Sequence, residues 1–332
     1  MRGSAVPGSW TNAERRRQVL GLVFTGPWIV GFLVFALYPV IASFYYSLCD
    51  YNVFNEPVFH GWRNYAELFG EDRLFWTSLW NTAYFMFFAI PTTMLTALVL
   101  AMLLNLKVRG QAFYRTIFFL PSIVPVVAST VLWLWILNPR YGVANKILGP
   151  VSPHMQWCWD HIAALLVWLG MAPENVPKLS FPPGWLSNEY WSKPGLILMS
   201  VWGVGNNMIL YLAGLQEVPR ELYEAAEMDG ATAWRRTRHI TLPMISPILF
   251  FTLVMGMIGT FQYFTQAFIM TEGGGGPNDS TLFYAMYLFN NAFIYFKMGY
   301  ASAMAWILFV LIVICTALTF RLTRGRVYYA GA

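Results

Sequence analysis

The chain reads as an all-α integral membrane protein with six transmembrane helices, and three observations predict it. Hydrophobic residues make up 57% of its 332 and charged residues only 11%, against roughly 45–50% and about 25% in soluble domains. Six stretches carry no Asp, Glu, Lys or Arg: 18–48, 76–105, 116–137, 195–215, 243–271 and 300–320. Each reaches the roughly 20 residues that a helix needs to cross a bilayer. In hydrocarbon every backbone polar group must be satisfied within the structure, so such segments are helices. The third observation is how the charges are distributed between them.

Arg2, Arg15, Arg16, Arg17, Lys107, Arg109, Arg115, Arg220, Arg235, Arg236, Arg238, Arg321, Arg324 and Arg326 all fall on one side of a six-span topology. They are 14 of the 21 basic residues. Arg63, Arg73, Arg140, Lys146, Lys178, Lys193 and Lys297 are spread over the other side, which holds ten of the 16 acids. Lys and Arg concentrate in cytoplasmic loops, so both termini are expected to be cytoplasmic. The net charge of +5 then reflects topology and is no argument for nucleic-acid binding. The chain divides into a tail at 1–17, a membrane domain at 18–321 and a tail at 322–332, localised to a cytoplasmic membrane.

The first span follows Arg15-Arg16-Arg17 as a signal peptide would, but its apolar run covers 31 residues against about 7–15, and no A-x-A site follows. It is expected to be an uncleaved helix bent at Pro27 and Pro39. In the outer loop at 49–75, GWRNYAELF predicts an interfacial helix with Trp62, Tyr65 and Phe69 at headgroup level. The loop at 106–115 is short and basic. A long outer insert covers about 138–194, and within it HIAALLVWLGM (161–171), bracketed by Asp160 and Pro173, is too short to span. A seventh crossing would move every later Arg cluster outside, so this segment is expected to be an outer amphipathic or interfacial helix. Gly273–Gly276 with Pro277 marks a turn. Cys49, Cys158 and Cys315 have no metal or redox spacing. Cys49 and Cys158 share the outer side, which leaves a disulfide open.

No charge-free stretch contains a carboxylate, Lys, Arg or His. Proton-coupled carriers commonly keep such groups at membrane depth, so the composition suggests a path for an uncharged or well-hydrated solute. It also removes paired-carboxylate, metal and nucleophile chemistry from the core. Ser200, Gly203, Val204 and Asn207 in span four stand at i, i+3, i+4 and i+7, one helical face. Gly256, Gly259, Thr260 and Tyr263 in span five repeat that spacing, and Gln266 extends it. Small residues beside hydroxyl, amide and aromatic groups suit a sugar; they equally suit close helix packing. Trp202, Gln262 and Phe264 lie off this face and read as packing, and Asn290 and Asn291 as a helix cap.

The remaining polar feature is the loop at 216–243, containing EAAEMDGATAWRRTRHITLP. Pro219 suits a first helical position, and Glu221, Glu224 and Glu227 suit the positive end of a helix dipole. Leu222, Ala225 and Ala226 supply contact positions, and Gly230 suits a left-handed stop. The local expectation is a short helix, a sharp turn and a basic helix returning to the membrane. As bare physics, an ordinary topology-enforcing loop fits too.

Glu224, Ala225, Ala226, Gly230, Ile240, Leu242 and Pro243 match the pattern E-A-A, three residues, G, nine residues, I-x-L-P. This resembles the loop of permease subunits in bacterial binding-protein-dependent ABC importers. FFLPSIVP, YGVANKIL, GWLSN, AGLQEVPRELYEAA, MGYASAMAW and TEGGGGPNDST are similar to the carbohydrate-type, maltose and glycerol-phosphate, members. The segment at about 150–183 has no counterpart in that pattern. The resemblance implies a type I ABC importer permease fold and a coupling helix at 219–230 that docks on an ATPase subunit through Glu224, Ala225, Ala226, Asp229, Gly230, Ala231, Leu242 and Pro243. It implies sugar contacts on spans four and five at the eight face positions. It implies a second permease subunit, two ATPase subunits carrying ATP and Mg, and an extracytoplasmic solute-binding protein. G-x-x-x-x-G-K-[ST] does not occur in the chain, so ATP hydrolysis is expected on those partners, with no cofactor, metal or catalytic residue here. The rival is a stand-alone carrier or channel for a small neutral solute. An intramembrane enzyme has no candidate groups.

Overall fold

The computed structural model describes residues 12–106, 109–173 and 176–325. Arg2, Lys107 and Arg326 of the arginine-rich side lie outside these. The first helix begins at Asn12, inside the tail expected at 1–17, and the last ends at Thr323.

Among the described residues, four helices are long and apolar enough to cross a membrane: Arg16–Ser47, Arg73–Asn105, Ser246–Thr271 and Met298–Thr323. Two further crossings are bent pairs, Gln111–Ile123 with Val126–Ile136 at 98° and Glu189–Trp202 with Gly205–Glu217 at 49°. Counting each pair as one gives six spans. The third breaks at Val124, held extended (φ −66°, ψ 129°) because Pro125 clashes with a helical residue before it. The fourth breaks where Gly205 meets span three: a Cβ there would lie 2.7 Å from the Phe118 carbonyl oxygen and 2.9 Å from Phe119 Cα.

The second span is the axis. It packs against both halves of the fourth span, Ser246–Phe261 and the short helix Tyr284–Phe289. Phe75, Ser78, Thr82, Phe85 and Ala89 form its buried stripe near the outer-loop end. Toward the other end, Ala97 and Ala101, fully buried, let Met208, Tyr211 and Leu212 approach closely. Such approach supplies packing where lipid removes the hydrophobic drive between helices.

The first span is peripheral, touching the sixth through Tyr38–Ser47 and the bond from Trp306 Nε1 to Ser43 Oγ (3.2 Å). It runs from Arg16 to Ser47 as one span. Pro27 sits inside its helix, and the irregularity at Pro39 is a π-helical turn at Leu33–Leu37 just before it. Near the sixth span's start, Gly299 donates to the Tyr51 carbonyl (2.9 Å), and any Cβ would run into the Cys49 carbonyl. Cys49–Asp50 and Val58–Phe59 form a short antiparallel pair beside it.

Several outer-loop expectations are corrected. Trp62, the N-cap of the helix Arg63–Gly70, and Phe69 within it are exposed, but Tyr65 turns inward and donates to Ser47 Oγ (2.8 Å). The insert helix covers Ser152–Trp168 and so starts nine residues before 161. Asp160 does not bracket it, because Gln156 one turn earlier bonds its carboxylate (2.8 Å). Cys49 is buried, Cys158 exposed, and both are free. Asn290 is the C-cap of the helix Tyr284–Phe289, as expected, its backbone N–H donating to the Met286 and Tyr287 carbonyls, whereas Asn291 caps nothing and lies inside the π-helical turn Asn290–Ile294. Their side-chain amides donate inward to the carbonyls of Gly273 (3.0 Å) and Tyr287 (2.9 Å). Gly273 and Gly275 take left-handed φ of 78° and 69°, as the expected turn requires.

Candidate functional site

At the arginine-rich end, Arg220–Met228 forms a helix without a buried residue. Pro219 is its N-cap, one position earlier than expected. The helix closes in a Schellman motif: Gly230 (φ 71°) donates to the Glu227 carbonyl (3.0 Å) and Ala231 to that of Ala226 (2.9 Å). Thr232 caps the next helix, Ala233–Arg236, and a π-helical turn, Thr237–Thr241, delivers the chain to Leu242 and Pro243. Glu227 does not serve the helix dipole alone. It pairs with Arg236 across the turn, bracing the two arms. Tyr223 bonds Thr241 (2.9 Å), fastening the helix to the foot of span five. Glu224, Ala225 and Asp229 are left exposed, with Ala226 and Ala231 half-buried and Leu242 and Pro243 half-buried at the span's entrance.

Within the bundle, a cavity of about 150 Å³ lies between spans two, four and five. Ser200, Asn207, Gly256, Gly259, Thr260 and Tyr263 line it, as do Thr252 and span-two residues Phe85, Ala89, Ile90, Thr93 and Met94. None of these is charged. Thr93, Ser200 and Thr260 donate to carbonyls one turn back (2.8, 3.0 and 2.7 Å), leaving their oxygens able to accept. Thr252 pairs with Tyr211 (2.6 Å). The Asn207 side chain has no hydrogen-bond partner among the described residues. The Tyr263 hydroxyl is buried beside Ser200 and completes no hydrogen bond. An unpaired buried donor is costly, so one on a cavity-lining residue suits an incoming acceptor.

Phe85, Tyr263 and Phe283 close the cavity's outer-loop side, with ring centroids 4.5–5.3 Å apart. The segment behind Phe283 is clamped. Asn81 donates to the carbonyls of Asp279 (2.7 Å) and Leu282 (3.1 Å), Tyr284 N donates to Thr82 (2.9 Å), and Ser192 bonds Ser280 (2.8 Å). At the same end Asp72 caps span two through Phe75 N (3.0 Å) and accepts from the hydroxyls of Tyr287 (2.7 Å) and Tyr300. Burial first, then the Asp72 carboxylate, pushes the Tyr287 phenol above its ordinary range, so it stays a donor.

Residues 89–327 match the family described as binding-protein-dependent transport system inner membrane component. The chain belongs to that family. This permease is 38% identical over 316 residues to "Probable ABC transporter permease protein YesP" of Bacillus subtilis, covering 95% of this chain and 94% of the relative. It is 32% identical over 321 residues to "Lactose transport system permease protein LacF" of Rhizobium radiobacter, covering 96% and 98%. In fold it is similar to a chain of a bacterial alginate ABC transporter solved with an alginate pentasaccharide-bound periplasmic protein, with a TM-score of 0.73, 21% identity and 94% and 96% of the chains covered. It is an integral inner-membrane permease subunit.

Of the eight expected path residues of this permease, six meet at the cavity. Gly203 and Val204 do not, because the helix breaks between Trp202 and Gly205. The i, i+7 register survives the bend, but Gly203 is exposed and Val204 packs with Met208 and Tyr211. Tyr263 lies past the helix end at Phe261 and still reaches the cavity. Trp202 packs edge-on against Trp133 and Phe264 against Phe289, as expected, whereas Gln262 is exposed. The span-two wall was missed. Phe85, Ala89 and Thr93 recur at i, i+4 and i+8, the one signal that would have found it.

Proposed function

We propose that this permease carries a sugar or sugar-like solute from an extracytoplasmic solute-binding protein across the cytoplasmic membrane, driven by ATP. Both termini and the 216–243 loop face the cytoplasm, and Arg220–Met228 is the coupling helix. Glu224 offers its carboxylate to a cation on the ATPase subunit, Ala225 and Ala226 allow close approach, and Asp229, Gly230 and Ala231 set the turn. Leu242 and Pro243 pass the movement to span five. The observation that carries this is the coupling helix itself: without a buried residue, shaped by a Schellman turn, braced by Glu227–Arg236 and tied by Tyr223 to a cavity-lining span.

A second permease subunit completes the path, and two ATPase subunits bind ATP and Mg; this chain binds no cofactor. A charge-free cavity offering hydroxyl, amide and aromatic surface supports a neutral sugar, in keeping with relatives named for lactose and for trehalose/maltose transport. Purification and reconstitution test the reading. The permease is expected to co-purify with an ATPase and to move solute only with ATP, and Glu224→Lys is expected to cut ATP-driven uptake more than tenfold. Uptake by the chain alone, or full uptake by that variant, overturns it.

A further inference from the structure

A second cavity, about 370 Å³, opens at the end of the bundle opposite the arginine-rich loops. Arg63, Lys297, Asp50 and Glu67 line it, two charges of each sign. None forms an ion pair: among the described residues the only pair is Arg236 with Glu227. His60 adds a buried Nδ1 without a partner. The backbone is strained on both sides, with Phe296 at φ 56° and Val53 at φ 70°. Bulky and β-branched residues rarely adopt positive φ, and such strain persists where the surroundings enforce it, clustering at sites that clamp a ligand. Tyr300 also lines the cavity, and its hydroxyl donates to Asp72, the N-cap of span two.

We infer that this cavity is the docking socket for a loop of the solute-binding protein, which inserts a carboxylate toward Arg63 and Lys297 and a cation toward Glu67 and Asp50. The inference rests on the importer reading, which puts this end outside the cell. A small zwitterion would be gripped by convergent buried groups. Here Asp50, Arg63 and Lys297 are exposed, as charges are at a protein–protein rim, where they set register and partner choice. The socket also has a route inward. A side chain seated in it lies one hydrogen bond from the carboxylate that caps span two, the helix that supplies Phe85 and Thr93 to the solute cavity.

The full assembly, purified with its ATPase and partner permease in nanodiscs, is titrated with the solute-binding protein that supports its transport. Arg63→Glu combined with Lys297→Glu is expected to weaken Kd at least tenfold. Lys297→Gln, which removes no hydrogen bond and only the contact of the ammonium with the Tyr300 ring (5.7 Å), is expected to weaken it two- to threefold, and serves if the double variant does not assemble. Tyr300→Phe is expected to keep Kd and lose several-fold of the binding-protein-stimulated ATP hydrolysis. Kd within twofold of the unaltered assembly in the charge variants overturns the socket alone. An unaltered assembly that transports without any binding protein overturns the importer reading.

Discussion

Replacing Tyr263 by Phe separates a substrate group from a structural one. The hydroxyl is buried and has no hydrogen-bond partner, so its removal breaks no bond in the fold and relieves an unsatisfied donor. The ring remains against Phe85 and Phe283, so packing is unchanged. Thermal unfolding of the assembly in detergent is therefore expected at the same temperature or slightly higher. A neutral hydrogen bond contributes about 0.5–1.5 kcal/mol net, and about 1.4 kcal/mol is a factor of ten. If the hydroxyl donates to solute, ATP-driven uptake in proteoliposomes falls about 2- to 10-fold. A variant that unfolds earlier yet transports at the normal rate would falsify the assignment, because the hydroxyl would then serve the fold.

Three further substitutions test other parts of the structure. Gly259 has nothing within 4 Å of a built Cβ, so Gly259→Leu is expected to fill the cavity, abolishing uptake while the assembly purifies normally. Gly230→Val puts a β-branched residue at φ 71°, costing roughly 1–2 kcal/mol; faster amide exchange across 226–232 and weaker ATPase retention are the readouts. Gly299→Ala drives a methyl into the Cys49 carbonyl; overpacking of this kind costs about 1–3 kcal/mol, read as a lower unfolding temperature than for Gly21→Ala, where nothing lies within 4 Å.

What could be read from the sequence follows from which forces act locally. The spans were legible because a bilayer demands long charge-free helices, and the Schellman turn at Gly230 because capping is decided within a few residues. The break in span four was not. It depends on Gly205 meeting Phe118 and Phe119 of another span, a contact that no single-helix periodicity encodes, and it removed Gly203 and Val204 from the expected face. The span-two wall was hidden for a related reason: Phe85, Ala89 and Ile90 look like any lipid-compatible stripe until spans four and five are set against them. Asp160 misled because its charge suggested a helix boundary, whereas Gln156 satisfies it within the helix.

Mechanical continuity joins the loop to the cavity. Thr241, where Tyr223 fastens the coupling helix, leads directly into the span that carries Gly256, Gly259 and Thr260. From Ser246, just past the short helix Leu242–Met244, one helix runs to Thr260, fourteen steps or about 21 Å at 1.5 Å per helical residue. A stiff helix of that length transmits displacement at its foot to the cavity wall only if the foot does not yield. The Glu227–Arg236 brace and the buried Tyr211–Thr252 pair to span four resist yielding at two heights. An exposed ion pair contributes about 1 kcal/mol or less, so the brace adds little to global stability. Its effect is confined to the angle between the two arms of the loop. Loss of Arg236 should therefore leave unfolding temperature nearly unchanged while loosening the coupling of hydrolysis to uptake.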